Sequence, residues 1–349
     1  MGPNARTAKA LARSGERQTK GQRRGLVLLT ALAALCLLVV LSLCIGARDI
    51  SPATAWEALL GANSSEEQRI VRDLRVPRTI AGILVGIGLG VAGGTIQSLT
   101  RNPLADPGLL GVNGGAALAV TIAIGAFGVA RPEAYVWFAL LGAGLISVLV
   151  YLVGAGGRGG VDPVRLVLAG VALAAVLGGI VSAITLLNPD AFDQMRAWNA
   201  GSLTGRGFNV LLAAGPFILV GVVVALLVGP SLSALALGDD AASGLGASVK
   251  MTRTVAIAAI TLLAGGATAV AGPIVLVGLM IPHVARWLVG SDQRWVLMLS
   301  GVLAPVLLLT ADILGRLLMR PAEVPVGIVT AVIGGPMLMI LVRRRKATG

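Results

Sequence analysis

The chain has 349 residues, 56% hydrophobic and 13% charged, with a mean hydropathy of +0.89 and a formal net charge of +12. Soluble domains carry about 25% charged residues, so this composition excludes an ordinary water-soluble fold. The apolar runs are hydrophobic on all sides, which excludes the alternating strands of a membrane β-barrel, and the chain's 48 glycines, many of them within those runs, suit close helix–helix contact in lipid. The fold class expected is an all-α integral membrane protein.

Residues 1–25 form a basic tail with Arg6, Lys9, Arg13, Arg17, Lys20, Arg23 and Arg24. The first span follows at 26–47. It is about twenty residues long, beyond the 7–15 of a signal-peptide core, and reads as an uncleaved helix. Cys36 and Cys44 would stand about 12 Å apart along it, too far for a mutual disulfide. Nine further spans are expected at 76–97, 113–130, 134–155, 165–187, 207–229, 250–270, 273–289, 295–318 and 326–342, giving a ten-helix domain over 26–346. An even number puts both ends on one side. That side then holds 18 of the 28 Lys and Arg but 6 of the 16 acids, whereas the opposite side holds 10 of each. Cytoplasmic loops are rich in Lys and Arg, so the termini are assigned to the cytoplasm and the basic tail to an orientation signal, not to nucleic-acid binding.

The longest outer loop, 48–78, opens with Ser51-Pro52, an N-cap followed by proline at the first helical position, and Gly61 closes the predicted helix. Trp56, Leu59 and Leu60 give it an apolar side along the outer surface. Arg75 and Arg78 begin the second span. They read either as a solvated edge or as a cationic rim that docks an acidic partner. The inner segment Asn102-Pro103-Leu-Ala-Asp106-Pro107-Gly108 is a strong turn signal: a rigid turn capped by Asn102 and Asp106, or a gate or partner-facing surface. A second outer loop, 188–205, holds a predicted short helix over 193–198. The inner segment from Leu235 through Leu237, Gly238, Asp239, Asp240, Ala241, Ala242 and Leu245 to Gly246 is too short and polar to span. It reads as about two helical turns between Gly-rich bends, within a region 233–247, with both aspartates favouring the helix N-terminus. His283 suits a structural hydrogen bond better than a proton relay. Arg316, one turn after Asp312, either neutralises that acid or joins the docking rim.

The sequence contains no Gly-x-x-x-x-Gly-Lys-Ser/Thr phosphate loop, no Gly-x-Ser-x-Gly and no His-Glu-x-x-His. Span centres hold few ionisable groups, although ion-coupled carriers use such groups. An intramembrane enzyme and an ion-coupled secondary transporter are therefore the weaker alternatives.

Arg75-Val-Pro-Arg78-Thr, Asn102 through Gly111, Leu168-Ala-Gly-Val-Ala-Leu173, Leu235-Ala-Leu-Gly238, Gly278-Leu-Met-Ile-Pro-His-Val-Ala-Arg286, Ala311-Asp-Ile through Arg316 and Glu323-Val-Pro-Val-Gly327 together resemble the FecCD-type permeases of ABC importers for ferric siderophores and cobalamin. Leu187-Asn-Pro-Asp190, Arg196 to Leu203 and Ala285 to Gly290 resemble the ferric-enterobactin branch. The resemblance implies the ten-helix type II importer fold and a paired, paralogous permease, a heterodimer in enterobactin-type systems. It also implies two cytoplasmic ATPase subunits that bind ATP and Mg in place of this chain, and a periplasmic or lipid-anchored binding protein. It assigns Arg75, Arg78 and Arg316 to glutamates of that protein, 235–246 to the ATPase groove, and the fifth and tenth spans to the transport path in a bacterial cytoplasmic membrane. Cobalamin or haem is the alternative cargo.

Overall fold

The computed structural model describes residues 3–61, 64–129, 131–156 and 162–346. Arg158 lies outside them. Regular structure among the described residues is helical throughout: α1 (Pro3–Cys44), α2 (Pro52–Leu59), α3 (Glu66–Arg69) with a π-helical turn at Ile70–Arg75, α4 (Val76–Leu99), α5 (Val112–Phe127), α6 (Pro132–Ala155) and α7 (Pro163–Leu187). The chain continues with α8 (Pro189–Asn199), α9 (Phe208–Leu235), α10 (Asp239–Gly244), α11 (Val249–Ala271), α12 (Val277–Val289), α13 (Gln293–Leu318) and α14 (Val326–Lys346). The tail and the first predicted span are thus one continuous helix, in which Gly21–Cys44 is the apolar part. Both cysteines are free thiols.

Among the described residues, seven helices are long and apolar enough to cross a membrane, and three shorter apolar ones accompany them at Val112–Phe127, Val277–Val289 and Val326–Ile340. The short ones differ from full spans for a physical reason. α12 has 13 residues, or about 20 Å of helix against a hydrocarbon core of about 30 Å. The sequence predicts its start near 273, but the helix begins at Val277, because Gly272 has φ +76° and Leu276 is left-handed at φ 71°. This unwound stretch is held by protein: Ser202 N–H donates to Ala271 O at 2.8 Å, and the Gly272 Cα faces the Trp198 carbonyl too closely for a side chain. Non-helical backbone at membrane depth is tolerated where protein covers it.

α4 is the hub, packed along α13, α11, α9 and α12. Close approach requires glycine at Gly93, where a methyl would overlap the carbonyl oxygen of Gly278 in α12. Near its end Gln97 Nε2 donates to Leu279 O at 3.0 Å, and Arg286 Nη1 donates to Gln97 Oε1 at 2.7 Å. Gln97 Nε2 also lies 3.3 Å from Gly278 O, the carbonyl that Pro282 inside α12 leaves without an intrahelical donor. His283 sits edge-on to Trp287, with ring centroids 5.0 Å apart.

Overpacking a close helix contact costs about 1–3 kcal/mol. Gly93→Ala should lower the thermal stability of the detergent-solubilised protein by about that amount, whereas Gly144→Ala, with nothing within 4 Å of the added methyl, should leave it unchanged.

Candidate functional site

The end of the bundle opposite the two termini is organised around the last turn of α1. A helix C-terminus leaves carbonyls without intrahelical donors and carries partial negative charge. Here two arginines from distant parts of the sequence supply the donors. Arg75 Nη1 donates to Leu43 O at 2.7 Å and its Nη2 to Arg48 O. Arg316 Nη1 donates to Ser42 O at 2.8 Å and Ile45 O at 3.0 Å, and its Nη2 bonds Ser42 Oγ. Arg316 also pairs with Asp312, one turn earlier on α13; the two side chains are 2% and 1% exposed. Asp312 receives a second cation from α4, as Arg78 Nη2 and Nε reach its carboxylate at 2.8 and 3.1 Å. Arg78 Nη1 extends to Glu323 Oε2 at 2.6 Å, and Thr204 Oγ1 donates to the same oxygen at 3.3 Å.

Arg75, Arg78, Arg206 and Arg316 line a cavity of 510 Å³ with Glu133 and Glu323 across from them. The buried Arg206 donates to Tyr135 Oη at 2.7 Å. At the rim, Arg320 bonds Asp49 at 2.8 Å and holds that carboxyl below the usual carboxylate range. The structure therefore brings the three predicted arginines together, but not as a solvated edge. Arg75 and Arg316 are buried (Arg75 is 6% exposed) and Arg78 is partly buried, and acids and carbonyls of the same chain engage the terminal nitrogens of all three. The self-neutralising reading of Arg316 matches the observed pair with Asp312. Sequence reasoning did not single out Glu323 and Arg206 as site residues. A lone acid in the apolar neighbourhood of an arginine was the available signal for Glu323.

The predicted outer helix forms as α2, with Ser51 Oγ accepting from Thr54 N–H at 3.1 Å and Gly61 at φ +103°. Its inward face is made of Ala55 and Ala58, while Trp56, Leu59 and Leu60 point away from the protein. The second outer loop carries α8, capped by Asn188 Oδ1 at 3.0 Å from Ala191 N–H.

At the terminal end the predicted turn is a capped one. Asn102 Oδ1 accepts from Leu104 N–H at 3.0 Å, Asp106 Oδ1 accepts from Gly108 N–H at 2.8 Å, and a short 3₁₀ turn runs Pro107–Leu110. Pro103 is half-buried and Pro107 buried. Burial pushes the Asp106 carboxyl up, opposed by the Gly108 N–H. α10 projects between α9 and α11, bounded by Gly238 at φ +117° and Gly246 at φ +83°. Leu235 and Ala242 are buried, whereas Leu237 and Leu245 are 71% and 68% exposed and Asp240 and Ala241 are exposed beside them. Two large exposed apolar side chains, one just before and one just after this six-residue helix, give the segment an apolar surface outside the bundle. Asp239 faces inward, paired with Arg253 at 2.8 Å and with Arg101, so the segment is more than a helix start favoured by two acids.

The profile of the FecCD transport family matches residues 34–344. Over 325 residues the chain is 47% identical to the ferric enterobactin transport system permease protein FepD of Escherichia coli K12, covering 93% of this chain and 96% of the relative. It is 36% identical over 321 residues to the hemin transport system permease protein HmuU of Yersinia pestis, covering 89% and 94%. A solved structure described as an inward-facing conformation of a metal-chelate type ABC transporter superposes with a TM-score of 0.81 at 27% identity, covering 91% of this chain and 99% of that one.

Removing one partner of a buried ion pair costs about 3–5 kcal/mol. With Arg78 still on Asp312, Arg316→Met should lose about 3 kcal/mol of stability in a denaturant or thermal melt. Arg196→Met, which breaks only the exposed pair with Asp193, should cost less than about 1 kcal/mol.

Proposed function

The chain belongs to the FecCD transport family, and from that premise we propose that it is the membrane-spanning permease subunit of an ATP-binding-cassette importer for ferric siderophores, with a catecholate chelate of the enterobactin type as cargo. It is a transport component and not an enzyme. The observation that carries the reading is α10, a short helix flanked by exposed Leu237 and Leu245, on a bundle whose relatives are permeases of iron-chelate systems. The higher identity to the enterobactin permease than to the hemin permease favours the siderophore over haem. In this reading ATP and Mg are bound by two cytoplasmic ATPase subunits, in keeping with a chain that carries no Gly-x-x-x-x-Gly-Lys-Ser/Thr loop of its own. A paralogous second permease completes the path as a heterodimer, and the basic end, with both termini, faces the cytoplasm of a bacterial cell.

In this reading the region 233–247 seats in the ATPase. The turn at Asn102, Pro103, Asp106 and Pro107 lies beside it on the inner face. ATP-driven closure of the ATPases pushes α10, and the bundle rocks to open the path to one side at a time. A periplasmic or lipid-anchored binding protein docks at the opposite end, over the cavity lined by Arg75, Arg78 and Arg316. Because those guanidinium groups are already bonded within the chain, an incoming carboxylate competes with Glu323 for Arg78. Glu323 is the accessible member of that network, at 28% exposure against 1% for Asp312.

Proteoliposomes holding this chain with a sister permease, ATPase subunits and binding protein should accumulate iron supplied as ferric enterobactin when ATP is present. Uptake that persists without the ATPase and collapses with the ion gradient would assign a secondary transporter instead. Glu323→Gln should tighten binding-protein association by roughly three- to tenfold, since a partly exposed charge pair is worth about 1 kcal/mol. An unchanged dissociation constant would remove Glu323 as the competitor.

A further inference from the structure

Asp239 and Asp240 are adjacent acids on the same short helix, yet the fold uses them differently. Asp240 faces away from the bundle with Ala241 and Leu245. Asp239 turns back into it. One carboxylate oxygen takes Arg253 Nη2 of α11 at 2.8 Å, and the other takes Arg101 Nη2 from the turn that leaves α4. The same Arg101 donates from Nε to Leu235 O, the last carbonyl of α9, at 2.9 Å. It does so from a left-handed backbone at φ 51°, a conformation that L residues other than glycine rarely adopt. Three helices therefore converge on a single carboxylate: α4 and α9 through Arg101, and α11 through Arg253. α10 has little else to hold it. Ala242 is its buried side chain, and its ends are glycine bends.

We propose that Asp239 is a positioning residue that latches α10 to α4, α9 and α11, so that a displacement imposed on α10 is carried into those helices and not absorbed by the bends at Gly238 and Gly246. Asp240 is not part of the latch. The proposal rests on reading α10 as the ATPase contact. Asp239 and Arg101 are half-exposed, and exposed pairs contribute little to stability; the nearly buried Arg253 keeps a hydrogen-bond acceptor in Asp239→Asn, so that variant retains the fold while loosening α10.

The test uses the assembled importer in proteoliposomes with binding protein and ferric enterobactin, reading ATP hydrolysed per iron delivered alongside ATPase association. Asp239→Asn should raise that ratio roughly fivefold or more, the low end of coupling between linked sites, with ATPase association retained. Arg101→Gln should do the same, and the double variant should be no worse than either single one. Asp239→Glu should recover part of the coupling, and Asp240→Asn should keep the wild-type ratio. A wild-type ratio in Asp239→Asn, equal uncoupling by Asp240→Asn, or additive effects of Asp239→Asn and Arg101→Gln would overturn the latch. Leu245→Glu separates the premise. If it leaves ATPase association intact, the contact reading of α10 fails; if it abolishes association while Asp239→Asn stays coupled, the latch alone fails.

Discussion

A buried carboxylate, Asp312, is the charge around which one end of the bundle is assembled. In an apolar interior it is tolerated only with close cationic partners. It has two, Arg316 from its own helix and Arg78 from α4, and Arg316 Nη1 in turn donates to the carbonyls at the end of α1. One ion cluster thus ties α1, α4 and α13. Its net contribution to stability is modest, because burying charges offsets much of what their attraction returns. Its contribution to specificity is larger. Apolar helices rich in small residues have many sliding registers of similar energy, and only one of them satisfies Asp312, Arg78 and Arg316 together.

α4 extends that order through the bundle. Its 24 residues reach about 36 Å, from Arg78 at the cavity to the segment carrying Arg101 beside α10. Glycine at position 93 lets the α12 backbone seat against it, and Gln97 ties the first turn of α12 to its far end. A helix packed this closely moves as a rigid piece, so what happens at one end is felt at the other through packing and not through a chain of titrating groups. That suits a subunit whose task is mechanical, and in which nothing on the path between the two ends needs to make or break a bond.

The sequence carried the fold class, the approximate positions of the apolar helices, and the existence of the short helices α2, α8 and α10, because each depends on local signals: hydrophobic run length, an N-cap such as Ser51, and glycines at bends. The sequence places α8 at 193–198, whereas it starts at Pro189, capped by Asn188. It also picked out Arg75, Arg78 and Arg316 as a group. What it misread was their setting. Cations next to a membrane edge look solvated, and nothing local says that the carbonyls of Leu43 and Ser42, tens to hundreds of residues away, lack donors. The unwound stretch before α12 was hidden in the same way, since Gly272-Pro273 is apolar enough to read as a helix start until the Trp198 carbonyl is placed against it.

Composition and periodicity alone therefore determined that this is a helical membrane protein, where its apolar segments lie, and which residues cap and bend them, since those properties arise within a few residues of chain. The burial of the arginine cluster, the enlistment of Glu323, and the division of labour between Asp239 and Asp240 were decided only by tertiary structure. Each depends on which carboxylate and which guanidinium meet across helices, and that pairing is set by packing between segments that no local pattern relates.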